Sequence, residues 1–473
     1  AIMNLRKLIG DLFIAFGAQG ISFVCSVVTT LLVPKILGVE EFAYWQLFVF
    51  YTSYVSFFQL GLNDGVYLQH GGESRENIDK GLIRGELCVG MGYQAMAALL
   101  IVGYGVFCGS NDERTLVILS SAAYLLLTNL ASYMAFVFQA MNETKVASYS
   151  TIVNRGFYLF PLVACVLLRV DDFFVYVVFY EIAQALALVY LLWKGIDFVR
   201  ASSVPFKTAA RETLRSMKLG IVLTVANVSS MLIMGMARIV IDSTWGLAAF
   251  GEVSLSLSIV NFALTFISQA AMVLFPALRA AGDGREKGYY VKLRDGLGVV
   301  LPVAMLLYAP LRALVGLWLP QYAGSLLYLA FLFPVCLFEV QTNLTVVTFL
   351  KVRCEPRTLL VINAAALLCA LGAQAVAVLA FDSPIASVLA SLFGIAMRYA
   401  IGTVYLGGVY EVRNLKMIAC MFAESVVFIV LAYFLPLGWG FVCCVGILFA
   451  HFAVCRDEAR NLAGMLREVA PGQ

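Results

Sequence analysis

Runs of about 20 apolar residues, each long enough at 1.5 Å per residue to cross roughly 30 Å of hydrocarbon, recur from one end of the chain to the other. Bounded by charges, Gly or Pro, they fall near 11–33, 42–62, 83–108, 115–139, 149–168, 172–193, 218–241, 247–275, 296–318, 325–350, 358–380, 385–408, 415–435 and 438–455. This pattern predicts an all-α polytopic membrane protein of about fourteen transmembrane helices, with no room for a large soluble domain. The first run lacks a small-residue cleavage site after it and reads as a retained span.

Charge placement supports that count. Of the 32 Lys and Arg residues, 25 fall in the termini and one alternate set of loops. Four (Lys35, Arg114, Arg169 and Arg312) fall in the other set, and Arg155, Arg238 and Arg398 lie inside spans. By the excess of basic residues in cytoplasmic loops, both termini are expected in the cytoplasm. The opposite loops are short and acidic, as at Glu40, Glu41, Asp112, Glu113, Asp171 and Asp172.

Residues 195–217 form the longest inner segment and divide the chain into 1–194, with six spans, and 218–410, with six more. A hairpin and tail, 411–473, follow. Six is an even number, so the second set would restart on the same side, as parallel repeats do. Gly38-Val39-Glu40-Glu41-Phe42 and Gly246-Leu247-Ala248-Ala249-Phe250 occupy corresponding turns. In the linker, Phe206, Ala210, Leu214 and Met217 recur at helical spacing among Arg200, Lys207, Arg211 and Arg215. Two readings stand: an amphipathic cytoplasmic helix on the membrane surface, or a solvated positive-inside loop.

Composition agrees with the pattern. The chain is 62% hydrophobic and 13% charged, with mean hydropathy +0.90, whereas soluble domains carry about a quarter charged residues. A net charge of +3 gives no general attraction to nucleic acid. Most of the eleven cysteines sit in apolar runs, no CxxC occurs, and only His70 and His451 offer imidazole. Neither a metal site nor another cofactor is expected, and Cys/His catalysis has no support. The chain carries no phosphate-binding Gly-x-x-x-x-Gly-Lys loop either, so any driving force would be an ion, potential or substrate gradient.

A charge at the bilayer centre costs about 2.5–3.5 kcal/mol on insertion scales, so each must face a wet cavity or a partner. Arg155, Arg238 and Arg398 suit an anionic substrate, because a guanidinium donates two parallel hydrogen bonds and stays charged. Structural pairing is the alternative: Arg155 with Glu181, or Arg398 with Glu339 or Glu424. Glu339, Gln341 and Asn343 follow Pro334 in span ten, with Glu339 and Asn343 on one face. They would line a cavity, hold a coupling cation or glue helices together. Asn63 and Asp64 at the end of span two would gate the pathway or cap the chain. Aromatics such as Tyr51, Tyr54, Phe57, Phe58, Tyr176, Phe179 and Tyr180 stack sugars, pack cores and form interface belts alike.

The stretch from Leu31 through Pro34, Leu37 and Gly38 to Phe42-Ala43-Tyr44-Trp45, continued by Gln59-Leu60-Gly61-Leu62-Asn63-Asp64-Gly65, carries a resemblance. It is similar to the Wzx-type polysaccharide flippase family of the multidrug/oligosaccharidyl-lipid/polysaccharide exporter superfamily. That resemblance implies two six-helix lobes around a central cavity that opens alternately to the two faces. It implies a bacterial inner-membrane protein whose substrate is an undecaprenyl-diphosphate-linked oligosaccharide. Membrane lipids, H+ or Na+ and polysaccharide assembly proteins are the expected partners of a monomeric carrier, and residues 415–455 would offer a groove for a prenyl tail or simply pack laterally against the bundle. A multidrug exporter of the same superfamily is the alternative, for which span one offers only Asp11 at its inner edge. A membrane polymerase or glycosyltransferase ranks below both, since the outer loops are too short for an active site.

Overall fold

The computed structural model describes residues 5–109, 111–202, 204–280, 286–456 and 458, with side chains from residue 17 onward except 108, 263 and 265–280. Asp11 and most of the expected C-terminal tail therefore lie outside the described side chains. Among the described residues, twelve helices are long and apolar enough to cross a membrane. They account for twelve of the fourteen expected spans. Of the other two, 247–275 is helical within Leu247–Ala280, and 42–62 is broken.

The break has a local cause. Helix Val39–Ser53 passes into a 3-10 turn, Val55–Gln59, and Leu60 and Gly61 then adopt φ of 50° and 85° before helix Leu62–His70 begins. Left-handed backbone ends a helix, and Gly takes it without steric cost. Gly61 is also needed for space: a Cβ there would overlap the backbone of Gly220 and Ile221, and one on Gly65 would overlap the backbone of Ser216. Helix Leu62–His70 thus lies backbone to backbone on helix Phe206–Trp245, an approach only small residues permit. Asn63 and Asp64 consequently occupy the first turn of a helix instead of capping the end of a span.

The expected linker differs as well. Its start is the short helix Ile196–Val199, but 206–217 are the first three turns of the 40-residue helix Phe206–Trp245. No proline interrupts that stretch, so the helix that enters the membrane simply begins outside it. Ala209, Thr213, Ser216 and Gly220 form its buried face, whereas Phe206 and Leu214 are exposed. The contacts divide the chain within this helix, into Ala1–Val228 and Ser229–Gln473.

In the first unit, helix Asp112–Ala140 is central and packs against Lys80–Cys108, Phe173–Lys194, Leu62–His70, Val39–Ser53 and Thr144–Leu168. Leu5–Leu31 lies along Thr144–Leu168. Outside the membrane, Arg75 ties three loops together, with Nη2 2.7 Å from Asp197, Nη1 2.9 Å from Glu143, and its guanidinium over Phe138 and Phe198. Lys80 completes the cluster, 2.9 Å from Asp197.

In the second unit, Pro384–Tyr410 is central, flanked by Pro356–Val376, Ala323–Leu332 and Val335–Gln341. The expected span 325–350 is not one regular helix. Ala323–Leu332 ends before Pro334, and Val335–Gln341 opens into a π-helical turn, Thr342–Val347. Leu415–Phe434 and Leu437–Val454 pair as the expected hairpin.

Two outcomes test this packing. Gly65→Val is expected to destabilise the protein by more than about 2 kcal/mol in thermal unfolding, because backbone cannot yield to the new methyls. Gly92→Ala, whose Cβ meets open space, is expected to stay within about 0.5 kcal/mol or gain stability. Equal midpoints for the two variants would contradict the close approach. For the ion cluster, burial raises the Asp197 carboxyl, but bonds and charge from Arg75 and Lys80 outweigh it and hold it down at about 2. Its stabilisation is therefore complete above the ordinary value of about 3.9 and is lost as pH falls through the folded value. Midpoints of the wild type and Asp197→Asn are expected to converge between about pH 4 and about pH 2. A gap unchanged at the acid end would show that the cluster does not act this way.

Candidate functional site

The intramembrane charges fall into separate settings. In the first unit, Arg155 sits midway along helix Thr144–Leu168 with its guanidinium 5.6 Å over the ring of Tyr180 from Phe173–Lys194. Tyr180 is the hub of an aromatic nest. Tyr158 meets it edge-on at 5.2 Å, Tyr124 lies at 5.3 Å, and Trp45 and Phe48 each at 5.9 Å. Cys25 Sγ donates to the Arg155 carbonyl at 3.2 Å, fixing helix Leu5–Leu31 against the same turn.

The expected Arg155–Glu181 pair does not form. Residues 180 and 181 are successive on their helix, about 100° apart, so the residue that holds Tyr180 on Arg155 turns Glu181 away. Glu181 keeps one buried oxygen, Oε1, without a hydrogen-bond partner. Arg155 interacts with Tyr180, Tyr124 and Cys25, and among the described residues no carboxylate lies within ion-pair distance of it. The Tyr158 hydroxyl and Trp45 Nε1 are likewise buried without partners. A cation over π-faces, beside unanswered donors, is chemically suited to an anion attached to a flat ring.

The second unit answers its arginine. Arg398 is buried and donates from Nη1 to Glu339 at 3.0 Å and from Nε to Asn363 at 2.9 Å. Asn343 Nδ2 donates to Glu339 Oε2 at 3.1 Å, so the expected i, i+4 face is real and carries the pair. The π turn begins between them, a device frequent at functional positions. Its widened backbone is capped by hydroxyls: Thr345 donates to the Gln341 carbonyl at 2.6 Å and Thr348 to that of Asn343 at 2.8 Å. Gln341 itself points elsewhere, donating to the Arg294 carbonyl at 3.3 Å, with Oε1 buried and unpartnered.

The remaining predicted residues are dispersed. Arg238 lies 4.9 Å over Phe250 and donates to Ser254 at 3.1 Å. Glu424 is buried in the C-terminal hairpin and pairs with His451, not with Arg398. Asp64 accepts from Thr224 at 3.1 Å, and Asn63 is buried with neither amide atom partnered.

Sequence reasoning missed Asn363, His451 as an ion-pair partner, and Glu86. Asn363 is an isolated uncharged polar residue within an apolar stretch of span eleven, which a search for charges passes over. Glu86 stands near the end of the expected span 83–108, where water would be within reach, yet on the second turn of Lys80–Cys108 it has no exposed surface. The signal was its place inside the apolar run that begins at residue 83.

Comparison with known proteins bears on this arrangement. A family model described as "Polysaccharide biosynthesis protein" matches residues 8–281, more than half of the 473. No curated protein is matched in sequence. Among solved structures, the chain is similar to the lipid II flippase MurJ in an inward closed conformation, with TM-score 0.65 and 14% identity over 95% of this chain and 98% of that one. It is also similar to an inward-facing multidrug resistance MATE family transporter of the MOP superfamily, with TM-score 0.65 and 12% identity over 84% of this chain and 98% of that one. The outward-facing conformation of a MATE family transporter gives TM-score 0.56 at 12% identity, covering 84% and 95%. At these identities the likeness establishes the fold.

The two arginines predict unequal stability losses. Arg398→Ala strands Glu339 in a buried setting and is expected to cost about 3–5 kcal/mol. Arg155→Ala strands no carboxylate and is expected to cost under about 1 kcal/mol beyond its lost packing. Thermal unfolding in detergent distinguishes them, and a larger loss at Arg155 would mean that a counter-charge had been overlooked.

Proposed function

Because the chain belongs to the polysaccharide biosynthesis protein family, we propose that it is a flippase carrying an undecaprenyl-diphosphate-linked oligosaccharide across the bacterial cytoplasmic membrane by alternating access. The observation that carries this reading is Arg155, a guanidinium placed among aromatic rings inside a span with no carboxylate among the described residues to neutralise it. A diphosphate or an acidic sugar supplies the missing charge and accepts bidentate hydrogen bonds, and the tyrosine faces suit a sugar ring. No covalent step is needed, since a carrier requires only different affinities in its two states.

In this reading the chain crosses fourteen times with both termini in the cytoplasm, and Arg238 contributes a second, more peripheral contact. Glu339, Asn343 and Arg398 act as a structural lock within the C-terminal half, with Gln341 bracing the same broken helix. Glu181 and Glu424 are open to H+ or Na+ coupling, and the chain acts as a monomer beside polysaccharide assembly proteins. The multidrug exporter is the second reading, kept because the likeness to a MATE transporter has the same TM-score as that to the lipid II flippase.

Reconstituted vesicles loaded with a fluorescent prenyl-diphosphate saccharide test the proposal. Losing a hydrogen-bonded charge contact of about 1.5–3 kcal/mol lowers affinity roughly 10- to 100-fold, so Arg155→Ala is expected to reduce translocation by that order at limiting substrate. Arg155→Lys is expected to recover part of it. Translocation by Arg155→Ala at the wild-type rate would remove the site, and efflux of cationic dyes with no saccharide movement would favour the exporter.

A further inference from the structure

Glu86 has no exposed surface and, among the described residues, forms no salt bridge. Its Oε1 lies 2.8 Å from the Ser216 hydroxyl of the long helix Phe206–Trp245, and its Oε2 lies 3.1 Å from the Tyr133 hydroxyl of Asp112–Ala140. The titratable groups that reach it are Tyr133, His70 from Leu62–His70 and Glu212 from Phe206–Trp245. On its own helix, Lys80 is committed to Asp197, which belongs to Ile196–Val199, and Arg84 to the Ala201 carbonyl. An ionised carboxylate in such a place would be a buried charge held by two neutral hydroxyls.

Counting protons sharpens this. Ser216 has one hydroxyl proton but faces two acceptors, Glu86 Oε1 and, at 3.3 Å, Gln69 Oε1. Tyr133 also has one, and faces Glu86 Oε2 and, at 3.2 Å, the Ile83 carbonyl. With Glu86 ionised, the two hydroxyls have four acceptors and two protons. One proton on the carboxyl relieves the shortage. Glu86 then donates to Ser216, Ser216 donates to Gln69, and Gln69 Nε2 donates to Glu212 Oε2 at 3.3 Å, a single consistent direction. Glu212 is partly exposed beside Arg215, on the aqueous face that bears the basic loops.

We propose that Glu86 is a proton-binding site, neutral in this conformation, that communicates with that aqueous face along Ser216, Gln69 and Glu212. While protonated it fastens the long helix to Leu62–His70 and Lys80–Cys108, at the junction where Gly61 and Gly65 meet the backbone of Gly220 and Ser216. Loss of the proton leaves a buried anion with no salt bridge among the described residues, offset only by the nearby His70 imidazole, and removes the donor that completed the chain. The junction therefore loosens as pH rises. The helix it releases is the one that runs on into the second unit, so pH on this face would regulate the carrier whatever head group it moves.

Infrared spectroscopy of the purified full chain tests the site without any substrate. The wild type is expected to show a protonated-carboxylic-acid band near neutral pH that is absent from Glu86→Gln and shifts in Ser216→Ala, which removes one partner but leaves the carboxyl. A wild-type spectrum matching that of Glu86→Gln from about pH 5 to about pH 9 overturns the proposal. Should Glu86→Gln fail to fold, a band unmoved by Ser216→Ala overturns it equally. In vesicles, the transport rate of Glu86→Gln is expected to change less than about twofold over a pH range in which the wild type changes more. Parallel pH profiles for the two proteins would overturn the regulatory role, and absence of transport in the wild type would instead count against the flippase reading.

Discussion

Hydrocarbon does not solvate a charge or a peptide group, so every polar atom placed in it must be answered from within the protein or by something the protein carries. That constraint produces the helices and also sorts the ionic residues. Arg398, Glu339, Asn343 and Asn363 answer one another, and Glu424 is answered by His451. Among the described residues Arg155 meets Tyr180, Tyr124 and Cys25 but no carboxylate at ion-pair distance, and Glu181 keeps a bare oxygen. Buried groups left unanswered are uncommon in folded proteins, so they mark the places where an outside group completes the chemistry. The functional reading follows this contrast for two arginines: Arg398, paired with Glu339, belongs to the scaffold, and Arg155 meets the cargo.

The same constraint governs where the backbone departs from regular helix. The left-handed pair Leu60–Gly61 leads directly into buried Asn63 and into Asp64, which Thr224 holds. Glu339 lies between Pro334 and the π turn Thr342–Val347, and Asn343 lies within that turn. Irregular backbone at membrane depth survives only where protein surrounds it, and Thr345 and Thr348 supply the hydroxyls that irregular carbonyls need. A broken helix and a polar cluster therefore occur together here because each makes room for the other. Outside the spans, charges pair at more exposed positions, as around Arg75.

Glu86 belongs to neither class. It is answered, but by hydroxyls that carry too few protons for an anion. Three helices converge on it, and one of them is shared by both units, so its protonation state bears on packing more than on substrate contact.

The sequence alone determined that this is a many-helix membrane protein, where most spans begin and end, and which residues are ionic inside them. Hydropathy and charge act locally, through each segment's own transfer from water, so linear reading recovers them. It also found the Glu339–Asn343 face, because 3.6-residue periodicity is a property of a single helix. Tertiary structure decided which charges meet. Arg398 chose Glu339 over Glu424, Arg155 lost Glu181 to a one-residue rotation, and Glu86, near the end of its span, was enclosed between helices. It also turned a presumed linker into the start of a 40-residue helix, because glycine and serine on that helix accept another backbone at contact distance. Pairing and close approach depend on how separate helices are rotated and spaced against one another, and no single segment carries that information.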